Sequence, residues 1–382
     1  MFTLNPDQQL FEKTTARLIG DCYPCERIRS LGTQESTFDG EFWHRGAELG
    51  WTTLLVPEDA GGGSISGNGL VDLIIVASQF GRHAAPGPLV GTNVVAASLA
   101  RWGSAIQHRD PMASLINGMA TATWCPAPRS LAAVITAGGL RATTTSADEI
   151  ELNGVLDCVE EASEVTYLLV SATDESGSRS WYLVQMSAPG VTTSPLKAVD
   201  LARRYGRVTL SSVTVPAAAR VGQRGSADDY EQQMLDIAAT LQSAEMVGAW
   251  QRCLEMTLRW ISDRYSFGRP LASYQEIKHR IADSRMAIEA GAAVTARAAR
   301  AVGEGASDAS QWANAAMAYV GRVAPESIQD CVQLHGGIGV TSDHDLHLFL
   351  RRVITNAQMW GTPADAAATL VDLIQPAQGG AK

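Results

Sequence analysis

The sequence has no cluster of Lys and Arg, no apolar run long enough to span a bilayer, no internal repeat and no low-complexity block. Each absence removes a class of function. Nucleic-acid binding needs grouped cations to neutralise phosphates, and here Lys+Arg 30 stand against Asp+Glu 40, a formal net charge of -10. A membrane-spanning helix is not expected. The opening "MFTLNPDQQLFEKTTARLI" lacks the basic and apolar regions of a signal peptide. Cysteine is thinly spread: of Cys22, Cys25, Cys125, Cys158, Cys253 and Cys331, only the first two have CxxC spacing, and no second pair follows at metal-site distance. Idle thiols in a reducing compartment are expected, in a soluble, cytoplasmic protein.

What is present suits a multidomain globular chain. At 382 residues with 46% hydrophobic and 18% charged, the chain invites division into two or three domains. The first third has helical periods. Asn5 is placed to cap a helix with Pro6 at its first position and Asp7 in its first turn. Three more helical patterns follow, in "FDGEFWHRGAELG", "NGLVDLIIVASQFGRHAAPGP" and "VGTNVVAASLARWG", with a glycine-rich loop after the first of these.

From about Ala120 the period changes to short β-branched runs, "VTYLLVSA", "SWYLVQM" and "GRVTLSSVTVP", which predict an antiparallel sheet. Asn153-Gly154 is expected at a strand-to-strand corner. Near Gly222 helical spacing returns, with Met234, Ile237, Leu241, Ala244, Val247, Leu254, Leu258 and Ile261 on one face. Further helices are predicted from Gln275 to about Val302, Asp308 to about Leu334 and Ser342 to about Met359. The expected organisation is α+β and mainly helical: a helical unit over 1–119, a β unit over 120–224 and a helical bundle over 225–382.

Three stretches depart from generic helix or strand. "SDRYSFGRPLASYQ" gathers Arg264, Ser266, Phe267, Gly268, Arg269 and Gln275 at a helix junction. An arginine fork beside a hydroxyl suits a phosphate, although an Arg there also serves to cap carbonyls. "QLHGGIGVTSD" runs Gln333 and His335 into Gly336-Gly337, which permits either a tight turn or close approach by a ligand. In "TSDHDLHLFLRRV" the residues Asp343, His344, Asp345 and His347 do not share one helical face. Metal binding is therefore not expected, and Asp343 reads as a cap.

These stretches, in this order and spacing and followed by Gly361-Thr362, resemble the acyl-CoA dehydrogenase family. "LNGVLDCVEEASEVTYLLVSA" and "RRYGRVTLSSVTVP" resemble its middle β domain and "NPDQQLFEKTTARLI" its first helix. The resemblance implies a helical domain, a β domain and a four-helix bundle, assembled as dimers or dimers of dimers. It also implies FAD held between the β domain of one subunit and the bundle of its neighbour. The implied reaction removes the α-proton of an acyl-CoA with a Glu base and passes the β-hydride to flavin N5. Electrons leave through an electron-transfer flavoprotein.

The residues matching the bundle's half of the flavin site are Arg264, Ser266, Phe267, Gln275, Gln333, Gly336 and Gly337, with Thr362 further along. The other half departs from the family. "TATWCPAPRSLAAV" keeps Thr123 and Pro126 of the family's Thr-Glu-Pro segment but not its Glu or Gly-Ser-Asp. "LDCVEEAS" puts Glu160 and Glu161 where an aromatic and a small hydroxyl residue line the flavin ring, and their charge would repel reduced anionic flavin. The family base commonly precedes Gly-Thr, and that position is Trp360; the alternative base position falls near Ala238. Neither side chain accepts a proton. Asp236 and Glu245 lie near the second position but out of register with it. Arg352 stands where the family usually has Asp after Arg351.

The resemblance therefore points to a subunit without a catalytic Glu. Some actinobacterial members acting on steroid side-chain thioesters pair such a chain with a related catalytic one and carry fewer flavins than chains. Two alternatives remain open: a self-sufficient flavoenzyme or flavin monooxygenase-like relative with an unconventional base, and a flavin-free structural or binding protein.

Overall fold

The computed structural model describes residues 4–126 and 139–375. Helix α1 (Pro6–Cys22) begins in a capping box: the Asn5 side chain accepts from Gln8 N, and the Gln8 side chain accepts from Asn5 N. Helices α2 (Cys25–Leu31), α3 (Gly40–Glu48), α4 (Gly69–His83) and α5 (Leu89–Trp102) follow, then short turns α6 (Ala105–Gln107) and α7 (Ala113–Ile116). Gly50, at φ 97, lets the chain reverse beyond α3. Helix α4 is buried almost all round, which explains why its sequence is apolar on every face.

Strands β1 (Ala122–Cys125), β2 (Leu140–Thr144), β3 (Glu149–Glu160), β4 (Tyr167–Asp174), β5 (Arg179–Gln185), β6 (Val191–Leu196), β7 (Tyr205–Pro216) and β8 (Arg220–Val221) form one sheet. Its order is β6-β7-β3-β2-β4-β5-β8, with β1 also on β4. The expectation of a purely antiparallel sheet is corrected here: β1 and β2 both run parallel to β4, at successive stretches of it. Asn153-Gly154 is not a corner either. Both residues lie inside β3, where the pairing with β7 shifts register between Leu152 and Gly154. Gly154 has φ 142, and a Cβ there would press on Gly139 O, so glycine marks a bulge and close approach rather than a turn.

The bundle consists of α8 (Ala227–Asp263), α9 (Gln275–Gly303), α10 (Ala309–His335), α11 (Leu346–Asn356) and α12 (Pro363–Ile374). A tight hairpin, β9 (Tyr265–Ser266) and β10 (Arg269–Pro270), joins α8 to α9. Helix α11 is shorter than its pattern predicts. It starts after Asp345, which contacts Arg29 instead of capping, and Asp343 caps nothing. Leu258, expected on the apolar face of α8, is exposed.

Two cores result. One joins α1–α5 to the bundle, and the other fills the sheet with residues such as Leu152, Leu168, Val170, Val184 and Val208. Helices α4 and α8 cross without side chains between them. A Cβ on Gly81 would overlap the carbonyl of Glu245, and one on Gly248 would overlap that of Ser78. Among the described residues no helix is long and apolar enough to cross a membrane, and no group of three or more His, Cys, Asp or Glu is arranged to hold a metal ion.

Candidate functional site

At the far end of α8 the predicted residues gather around one indole. Arg264 ends the helix with its guanidinium over the Trp260 ring at 5.8 Å, and Trp260 stacks on His335 at 5.3 Å, the last residue of α10. Gly336 follows with φ 67, and no atom lies within 4 Å of a Cβ built on Gly336 or Gly337. The hairpin is braced by Tyr274, whose hydroxyl donates to Ser266 O at 2.8 Å, while Arg269 lies 3.9 Å over the Tyr274 ring. Phe267, at φ 51, is turned outward and is 97% exposed. Gln275 and Gln333 are also exposed. Arg264, Phe267, Gln275, Gln333, Gly336 and Gly337 are thus all exposed, on or beside the hairpin, at the start of α9 and around the end of α10.

Thr362 is not brought to this surface. It caps α12, accepting from Asp365 N, and borders a small cavity with Gln242 and Trp360. Gln242 and Arg264 are separated by roughly 33 Å of helix. That cavity is also lined by Leu235, Asp236 and Ala239; Ala238, the other base position of the resemblance, is fully buried and does not line it. Its volume is about 30 Å³, room for a water or two and not for a ring system. Trp360 takes up the space. It adopts φ 55, and its ring lies 5.4 Å from that of Trp124, which in turn lies 6.2 Å from Trp181. Asp236 holds Gln232 and Ser310 by hydrogen bonds of 2.8 and 2.5 Å.

Behind this wall lies a buried ionic cluster. Arg203 spans Glu160, at the end of β3, and both oxygens of Glu245 on α8 at 2.7 Å. Arg352 on α11 donates to Glu245 at 2.7 Å, to Ala85 O at 2.9 Å and to Ala84 O at 3.0 Å, and it pairs with Asp200. Every member is buried. Three carboxylates face two guanidiniums, so the cluster is balanced only if one carboxyl keeps its proton. Burial opposes ionisation of Glu245 and Asp200, but the guanidiniums outweigh it and hold both below the usual carboxylate range. Burial pushes Glu160 up instead, because its one partner, Arg203, is shared and Glu245 repels it. The neighbouring Glu161, at φ 51, is pushed up to about 8 by burial and by the charge of Glu160.

Glu160, which the resemblance sets beside the flavin ring, is instead committed to the buried Arg203, and Trp124 packs against Trp360. Pro126 ends the described part of the Thr-Glu-Pro counterpart, and the rest of that segment lies outside the described residues. Arg203, Asp200 and Trp124 carry no motif that sequence reading can isolate. The one signal was Arg352 in place of Asp, since a buried cation demands buried anions.

The scaffold is thus a sheet set between helical layers, with an open arginine-bearing surface at one end of its longest helix. Residues 5–119 match the acyl-CoA dehydrogenase N-terminal domain, and residues 228–364 match the acyl-CoA dehydrogenase C-terminal domain. The chain belongs to the acyl-CoA dehydrogenase family. It is 29% identical over 369 residues to acyl-CoA dehydrogenase IpdE2 of Mycobacterium tuberculosis, covering 95% of this chain and 96% of the relative. A Tcur3481–Tcur3483 steroid ACAD variant superposes with TM-score 0.85 at 28% identity, over 97% of this chain and 98% of that one. The ChsE4–ChsE5 complex from Mycobacterium tuberculosis gives TM-score 0.85 at 25% identity, over 98% and 99%.

Proposed function

We propose that this chain is the non-catalytic subunit of a heteromeric acyl-CoA dehydrogenase and completes the FAD site of a related subunit that carries the catalytic Glu. The observation carrying the proposal is the contrast between the middle of α8 and its carboxyl end. The middle is closed by Trp360 and the Glu160–Arg203–Glu245–Arg352–Asp200 cluster, while beyond the carboxyl end Arg264, Phe267, Gln275, Gln333, Gly336 and Gly337 are exposed and Ser266 is half-buried. Two of the similar solved structures are named for pairs of chains, and one is called a steroid ACAD, which supports a paired assembly and a lipid or steroid acyl-CoA substrate.

When bound, FAD supplies the hydride acceptor, and its ring and proton-abstracting Glu belong to the partner. This chain's part is binding and orientation. The Arg264 guanidinium is suited to pyrophosphate oxygens, which it can meet with paired N–H donors. Gln275 and Gln333 offer amide donors and acceptors, Gly336 and Gly337 let the backbone approach closely, and Phe267 covers the cofactor's edge against water. Electron-transfer flavoprotein is the proposed acceptor of the assembled enzyme, in the cytoplasm.

The test is co-expression with a related chain carrying Glu at a base position. The complex is expected to be yellow and active on acyl-CoA, with R264A lowering flavin per complex about ten-fold, the scale of one charge-assisted contact. This chain purified alone is expected to be colourless. A full flavin per chain in the isolated protein, together with acyl-CoA oxidation, would overturn the proposal.

A further inference from the structure

A second cavity, of about 660 Å³, opens between the 54–69 loop, the end of α5, the start of α8 and the α9–α10 turn. It is separate from the site described above on two grounds. Gln233, Met234 and Ile237 border it, whereas Leu235, Asp236, Ala239 and Gln242 border the Trp360 cavity, so the body of α8 divides the two. From Met234 to Arg264 the helix runs roughly 45 Å, beyond the reach of one small molecule.

The volume lies within the range of small-molecule pockets, about 300–1,000 Å³. Leu54, Val56, Leu70, Ala97, Met234 and Ile237 make an apolar floor. Trp102 lines the wall and is fixed by Tyr230, stacked on it at 4.0 Å and 7°. A flat wall of this kind favours a flat or chain-like apolar body. The exposed charges lining the cavity have mixed sign: Arg101, Glu58 and Glu304. A ligand carboxylate would meet two like charges and a ligand ammonium would meet the guanidinium. A neutral hydroxyl or carbonyl is compatible with all three, and the half-buried Gln233 carboxamide that also lines the cavity suits the same chemistry.

We propose that this cavity is a binding site for a neutral amphipathic molecule, an apolar ring system or chain ending in a hydroxyl or keto group, independent of the flavin half-site. The site rests on its own geometry and stands or falls apart from the subunit role.

The probe is prodan, a neutral naphthyl ketone, titrated by fluorescence into the full-length chain, alone and in its co-purified assembly. Saturable binding of one probe per chain is expected, with the anionic anilinonaphthalene sulfonate failing to displace it. A97W, which projects an indole into the cavity, is expected to abolish binding while thermal unfolding and the flavin content of the assembly stay unchanged. Q233A is expected to weaken binding roughly five-fold, the scale of one neutral hydrogen bond. If A97W does not fold, Q233W blocks the cavity from the opposite wall. No saturable binding, binding that survives both blocking variants, or binding abolished instead by F267A at the other end of the bundle overturns the proposal.

Discussion

Arg352 and Glu245 meet at 2.7 Å in the interior, each on a different bundle helix and each fully removed from water. Glu245 also accepts two hydrogen bonds from Arg203, so it bridges two guanidiniums whose other partners are Glu160 and Asp200. A neutral amide there leaves each cation beside one carboxylate but breaks the charge-assisted bridge. E245Q is expected to destabilise the fold by about 1–3 kcal/mol, read as a lower urea midpoint, because its buried amide N–H group faces guanidinium donors with no acceptor. An unchanged midpoint would mean that water reaches the cluster.

Glu161 sets a pH dependence whose sign follows from its raised pKa. The unfolded chain releases this proton near the ordinary carboxylate value of 4.5, and the folded chain near about 8. Between those values the native state holds more protons, so the stabilisation is complete below the lower value and is lost as pH rises through the upper one. The slope approaches about 1.4 kcal/mol per pH unit for a single group. E161Q is expected to remove that slope and to be the more stable protein at pH 8. Parallel stability–pH curves for the two proteins would show that Glu161 is ionised in the fold.

Restoring a base at the family position is not expected to restore catalysis. W360E supplies a carboxylate, but the cavity beside it holds a water or two and Glu160 stays locked to Arg203. The isolated variant should remain inactive in acyl-CoA-dependent dye reduction. It should also lose about 1–3 kcal/mol of stability, because a carboxylate replaces an indole packed on Trp124. Dye reduction by isolated W360E would show that the flavin pocket is open.

The crossing of α4 and α8 leaves no room for a methyl group at Gly81 or Gly248, since each Cβ would meet a main-chain carbonyl that cannot rotate away. G81A and G248A are each expected to lose about 3 kcal/mol or more, because separating the helices also opens the Trp250 and Phe80 packing on either side. Thermal unfolding of the two variants checks this. A shift of a degree or less would mean that the helices slide apart freely.

Much of this protein is legible along the chain because the information is local. The Asn5 cap, the helical periods of α8 and α9 and the break between those helices at Phe267-Gly268 depend on neighbours within a few residues. Asn153-Gly154 was misleading for the same reason. The pair looks identical in a turn and in a bulge, and only the register of β3 against β7 distinguishes them.

By itself the sequence determined the family, the positions of the long bundle helices and the Trp that precedes Gly361-Thr362, each resting on residue type and spacing. The tertiary structure decided what surrounds that Trp and what lies behind it. Glu160, Asp200, Arg203, Glu245 and Arg352 come from four segments and mean little singly. Their charges act on one another only because the fold removes them together from water, where Coulomb attraction is no longer screened and an unpaired charge cannot be tolerated.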